Sequence, residues 1–260
     1  MSNQPHEVAP GPWPVTDELR RVFTVPALKR SCVAIMVVGV LAPLANVATL
    51  AVHDSARQTA DAFTSINAGV FLALLLGVLG TTGSSRLPPG FGPRYRRAVG
   101  VKARAYGLAG AASVLLLGFE AAAVALPIIH ARGLRTPSSH VIDAYFAREI
   151  VAGARLALVG TAIGIIAVRR WLAVTCVIGF MAAEAVAAAA IPFIRNYGPI
   201  GALNAFSDPS HHHQLSVGVG AAIALGWTLT ALVIATLISE QRALRAGTFP
   251  AVDAPAASRG

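Results

Sequence analysis

Apolar positions in this chain run together rather than alternate with polar ones. Six stretches are almost wholly apolar: 31–52, 62–83, 106–129, 150–168, 172–194 and 215–239. A helix needs about 20 apolar residues to cross a hydrocarbon core of ~30 Å, so the pattern predicts six transmembrane helices. The first, second and sixth stretches hold no charged residue, the third holds only Glu120, the fourth only Arg155 and the fifth only Glu184. The segment before them, TDELRRVFTVPALKR at 16–30, has a helical rhythm instead. Thr16 is a candidate N-cap with Asp17 and Glu18 in the first turn. Leu19, Val22 and Phe23 share one face and Arg20 and Arg21 lie off it, which predicts an amphipathic helix resting in the membrane interface. Pro26 then allows a bend into the first span.

The polar breaks are unequal. Residues 81–107, TTGSSRLPPGFGPRYRRAVGVKARAYG, carry Arg86, Arg94, Arg96, Arg97, Lys102 and Arg104 and no acid. With the N-terminus inside, the inner segments hold fifteen Lys and Arg residues and the outer ones five. Positive charge marks the cytoplasmic side, so both termini are expected in the cytoplasm. The break between the second and third spans is also longer than a simple connection needs. Pro88, Pro89, Pro93, Gly90 and Gly92 predict a turn, and 94–107 a short basic helix near the membrane surface.

Composition agrees with this pattern. The chain is 260 residues long, 55% hydrophobic and 13% charged, with mean hydropathy +0.64; soluble domains carry about 25% charge. A net charge of +9 would suit nucleic acid on a soluble fold, but here the bases sit in loops between spans, so no nucleic-acid partner is expected. Cys32 and Cys176 lie inside apolar stretches and read as small buried hydrophobes rather than a disulfide. The first 30 residues lack the apolar core of a cleavable signal. Residues 16–245 are expected to form one membrane domain, with disordered tails at 1–15 and 246–260. A preference for Arg over Lys, with abundant Ala, points to a GC-rich bacterial genome.

Three segments then acquire a shared meaning. GVLGTTGSSRLPPGFGPRYRRAVGVKARAYGLAG, VRRWLAVTCVIGFMAAEAV and IPFIRNYGPIGALNAF, in that order and spacing, resemble the permease of an ATP-binding-cassette transporter of the type-two exporter class. The chain departs from that family at Ser84, Ser85 and Arg86, where an acid and an aromatic are common. The resemblance implies an all-α membrane fold of six spans, a cytoplasmic coupling helix, and an outer re-entrant hairpin between spans five and six. It implies that Arg86, Arg94, Arg96, Arg97, Lys102 and Arg104 face an ATPase subunit. The sequence has no GxxxxGK[ST] loop to hold phosphate. ATP and magnesium would therefore belong to the partner, present in two copies, and this chain would be a non-catalytic subunit without a cofactor. It would pair with a second copy or a paralogous permease in a bacterial cytoplasmic membrane, exporting a drug-like, peptide or lipid-linked substrate. A gradient-driven transporter or channel using intramembrane carboxylates, or a non-transporting scaffold subunit, are the alternatives.

Intramembrane charges are costly enough to be functional candidates. Glu120 and Arg155 are expected about 6 Å apart in depth, from 1.5 Å rise per residue, and either pair with each other or serve the pathway. Glu184 reads as a pathway or dimer-interface residue, or as a hydrogen-bonded packing group. Thr64 and Asn67 could line an outer cavity. Gly77, Gly80 and Gly83, and Gly160 with Gly164, suit close helix packing. His211, His212 and His213 are consecutive and do not converge as metal ligands must, so no metal site is expected.

Overall fold

The structure, a computed structural model, describes residues 15–24, 26–50, 63, 66–82, 93–167, 169–207 and 215–247. The described residues form nine helices and no strand: α1 (Val15–Thr24), α2 (Pro26–Thr49), α3 (Ile66–Thr81), α4 (Pro93–Ala131), α5 (Ser139–Ile166), α6 (Arg170–Ala190), α7 (Pro192–Tyr197), α8 (Pro199–Ser207) and α9 (Val217–Gly247). Four of them are long and apolar enough to cross a membrane, over Ala98–Ala131, Ser139–Ile166, Arg170–Ala190 and Val217–Arg242. The apolar segment Gly69–Thr81 is shorter.

Several boundaries differ from the sequence reading, two of them by many residues. The predicted third span and the basic stretch before it are one 39-residue helix, α4, rather than a separate surface helix and a span. Pro93 opens it, at a position where the missing N–H costs nothing, and the helix continues through Gly100, Gly107, Gly110, Gly118 and Pro127. The predicted fourth span is helix α5, which begins at Ser139, not 150. Arg148 and Glu149 did not end it, because charge alone does not break a helix and no Pro or Gly lies between 139 and 152.

Helix α5 is the centre of the bundle, packed most extensively on α3 and α4 and also on α9. Helices α3 and α5 run parallel: Gly160 meets the Leu74 backbone, and farther along Gly164 meets Thr81. A Cβ at Gly77 would collide with the Ala157 carbonyl, and one at Gly160 with the Leu74 carbonyl. Gly77, Gly160 and Gly164 therefore let two backbones touch, whereas Gly80 meets the Tyr106 ring of α4. Helix α4 runs antiparallel to α5, with Gly110 facing Ala157 and Gly118 facing Phe146. The main core is built from small and branched residues of α2 to α5, among them Val47, Val70, Val114, Ala125 and Ala152.

Polarity is reversed relative to a water-soluble bundle. Phe119, Val186 and Phe193 are 64%, 74% and 68% exposed, while Glu149 and Thr161 are fully buried. Apolar outside and polar inside is the pattern of a bundle embedded in lipid. The ends of the helices are satisfied by arginines from elsewhere in the chain. Arg132 donates to the carbonyls of Val47 and Leu50 at the end of α2. Arg170 Nε donates to Thr82 O after α3 at 3.2 Å, and Arg242 Nη1 to Ile166 O, the last residue of α5, at 2.6 Å. Terminal carbonyls without intrahelical partners carry the negative end of the helix dipole, and a guanidinium meets both needs.

Candidate functional site

Between α3, α5, α6, α8 and α9 lies a cavity of about 290 Å³. The space is a partly open cleft rather than an enclosed void, and Phe180 and Trp227 in its lining are about half exposed. Phe71, Leu156, Phe180, Leu203 and Trp227 supply apolar wall, and Arg155 is the one charged residue in the lining. The Thr228 hydroxyl in the same wall donates to Ala224 O at 2.9 Å, the usual way a helix absorbs a threonine. The far side of α9 is fixed by Trp227, whose Nε1 donates to Tyr197 O at 3.0 Å.

Arg155 is 9% exposed. Its guanidinium carbon lies 5.9 Å from the centre of the Phe206 ring, near the outer limit of a cation–π contact. Its Nε is buried without a hydrogen-bond partner. The expected pair with Glu120 does not form. Gly118 is level with Phe146, and Gly110 with Gly153 and Ala157. Glu120 is therefore opposite the region of Tyr145, and Arg155 lies ten residues farther along α5, about 15 Å away in depth at 1.5 Å per residue. The earlier start of α5 is the cause, since it carries Arg155 deeper than a span beginning at 150 would. Glu120 Oε2 is itself buried without a hydrogen-bond partner.

Glu184, 7% exposed in α6, has a defined partner. Its Oε1 accepts from the backbone N–H of Ile200 at 2.7 Å, and the carboxylate also accepts from the N–H of Gly201. These are first-turn amides of α8, where a negative charge is favoured by the dipole. Because Glu184 lies six residues before the end of α6, α7 and α8 double back by about 9 Å along it. Gly198 makes this approach possible: a Cβ there would lie 2.6 Å from Glu184 Oε1. Pro192 and Pro199 start the two short helices, and α8 packs against α9, with Gly220 against Ala202 and Phe206.

The remaining sequence candidates do not gather at this cavity. Lys102 is 4% exposed and Arg104 is exposed, both on α4. The backbones of Asn67, Arg94, Arg96 and Arg97 are helical, and their side chains, with all of Thr64, Gly83, Arg86, His211, His212, His213 and both tails, lie outside the described residues. Among the described residues no cluster of His, Cys, Asp and Glu is arranged to hold a metal.

Glu149 is the residue that sequence reading passed over. It lies just before the predicted fourth span at 150–168, and it is fully buried within α5 and borders Val114 and Gly118 of α4. The signal was there: Glu149, Gly153, Leu156 and Gly160 follow the 3.6-residue period of one helix face. No protein-family model, curated protein or solved structure matches this chain.

Proposed function

We propose that the chain is the membrane-spanning permease of an ATP-driven exporter of the type-two class, working with a separate ATPase subunit. The observation that carries this reading is α4. It runs 39 residues without a break, about 58 Å at 1.5 Å per residue, nearly twice a ~30 Å hydrocarbon core. The surplus is the basic end with Arg94, Arg96, Arg97, Lys102 and Arg104. A rigid helix that begins in a purely basic segment and continues into the bundle can convert a push outside the membrane into movement of α5 and the cavity beside it. Helices α2 and α3 would complete six crossings, with α1 lying along the cytoplasmic interface and α7 and α8 forming the outer re-entrant hairpin. Arg170, Arg242, α1 and the basic end of α4 share one end of the bundle, which the positive-inside rule assigns to the cytoplasm.

The test is purification of the untagged full chain with the cytoplasmic ATPase that binds it. The complex should hydrolyse ATP faster than the ATPase alone. Replacing Arg94, Arg96 and Arg97 together by Gln should cut that stimulation about tenfold, the loss of one or two charge-assisted contacts. Unchanged stimulation sinks the coupling role. A gradient-driven transporter is the second reading, favoured by the buried oxygens Glu120 Oε2 and Glu184 Oε2 that lack hydrogen-bond partners. Cargo flux in liposomes holding this chain alone would select it.

A further inference from the structure

We infer that the cavity beside Arg155 binds an amphiphile with one anionic head group, the head on the guanidinium and the apolar chain against Phe71, Phe180, Leu203 and Trp227. The inference goes beyond the exporter reading and does not depend on an ATPase partner. Three observations carry it. The cavity, about 290 Å³, lies just below the ~300–1,000 Å³ common for ligand sites. Its wall is apolar apart from two threonines and one cation, Arg155. That cation is nine-tenths buried, and its Nε has no hydrogen-bond partner. Among the described residues no carboxylate pairs with it.

A guanidinium taken out of water is costly until an anion or several acceptors meet it. Phe206 offers a ring face, which accepts no ordinary hydrogen bond from Nε. Glu184 Oε1 is held at the start of α8 and its Oε2 makes no hydrogen bond to Arg155, and Glu120 is on the wrong level of α4. A neutral hydrocarbon, or an apolar helix of a second copy, would fill the space and leave the charge unmet. A carboxylate or phosphate on an alkyl chain satisfies both halves of the site, and a guanidinium binds either through a two-pronged contact.

The experiment uses the full chain in phosphatidylcholine nanodiscs, with Trp13→Phe and Trp171→Phe leaving Trp227 as the reporter. Brominated stearic acid, its methyl ester and brominated phosphatidylglycerol are titrated separately, and quenching of Trp227 is followed. The acid or the anionic lipid should quench at least about tenfold more strongly than the ester, as expected for a charge-assisted contact; whichever does so identifies the source of the anion. Arg155→Gln should remove the preference and Arg155→Lys should keep part of it. Ala231→Phe, which fills the cavity, should abolish the difference between the probes, leaving the quenching of half-exposed Trp227 from the surrounding lipid. Equal quenching by acid, lipid and ester overturns the proposal, and that comparison needs no variant. So does Arg155→Gln with the preference intact, or Thr230→Cys cross-linking between two copies that the acid does not suppress.

Discussion

At the scale of single residues, Glu184 shows how an intramembrane charge can be structural. Its carboxylate accepts the first free amides of α8, so its removal strands N–H groups in a place without water. Glu184→Ala should lower stability by about 1.5–3 kcal/mol, the range for hydrogen bonds to a charged acceptor. Glu184→Gln, which keeps an acceptor oxygen, should recover about half. Thermal unfolding in detergent measures both, and an Ala variant as stable as the parent would remove Glu184 from this role. That an acid at this depth needs a partner was legible in the sequence. Which partner it takes was not, because Ile200 is sixteen residues away across two short helices. Arg155 and Glu120 teach the same point in reverse: their types made them candidates for a pair, but whether they pair depended on helix register.

At the scale of elements, the crossing of α3 and α5 rests on missing side chains. Gly160→Leu would drive a branched side chain into the Leu74 carbonyl, and should cost about 1–3 kcal/mol as an overpacked core does. Gly179→Leu on α6, where a Cβ meets nothing within 4 Å, should stabilise by up to about 1 kcal/mol through helix propensity. Comparing the two in chemical denaturation separates close packing from helix propensity, which both changes improve. Helix α6 has little packing of its own against α3 and α5. Its polar ties, Arg170 to Thr82 and Glu184 to α8, therefore count for more than they would in a dense core. The apolar runs announced most helices, since hydropathy needs only composition. Their ends were less legible: α5 extends eleven residues before the predicted start, with Tyr145 and Glu149 turned toward the protein rather than toward lipid.

At the scale of the whole molecule, alternating helix direction makes a claim about sides. Arg135 precedes α5 and Arg169 follows it, and both are exposed. In a background of Cys32→Ser and Cys176→Ala, Arg135→Cys and Arg169→Cys should react with a membrane-impermeant maleimide from opposite faces of the bilayer. Labelling of both from one face would deny that α5 crosses. The sequence alone determined that the chain is helical and belongs in lipid, because 55% apolar residues in long runs leave backbone groups no cheaper partner than their own helix. It also placed the uncompensated positive charge in one segment, since charge is a property of the residues and not of their arrangement. Only the tertiary structure decided that α4 is continuous, that Glu184 holds α8, that Glu149 is buried, and that Arg155 faces an apolar cavity without a carboxylate beside it. Those outcomes depend on which helix faces meet and at what register, and apolar runs, being alike on every face, do not encode that choice locally.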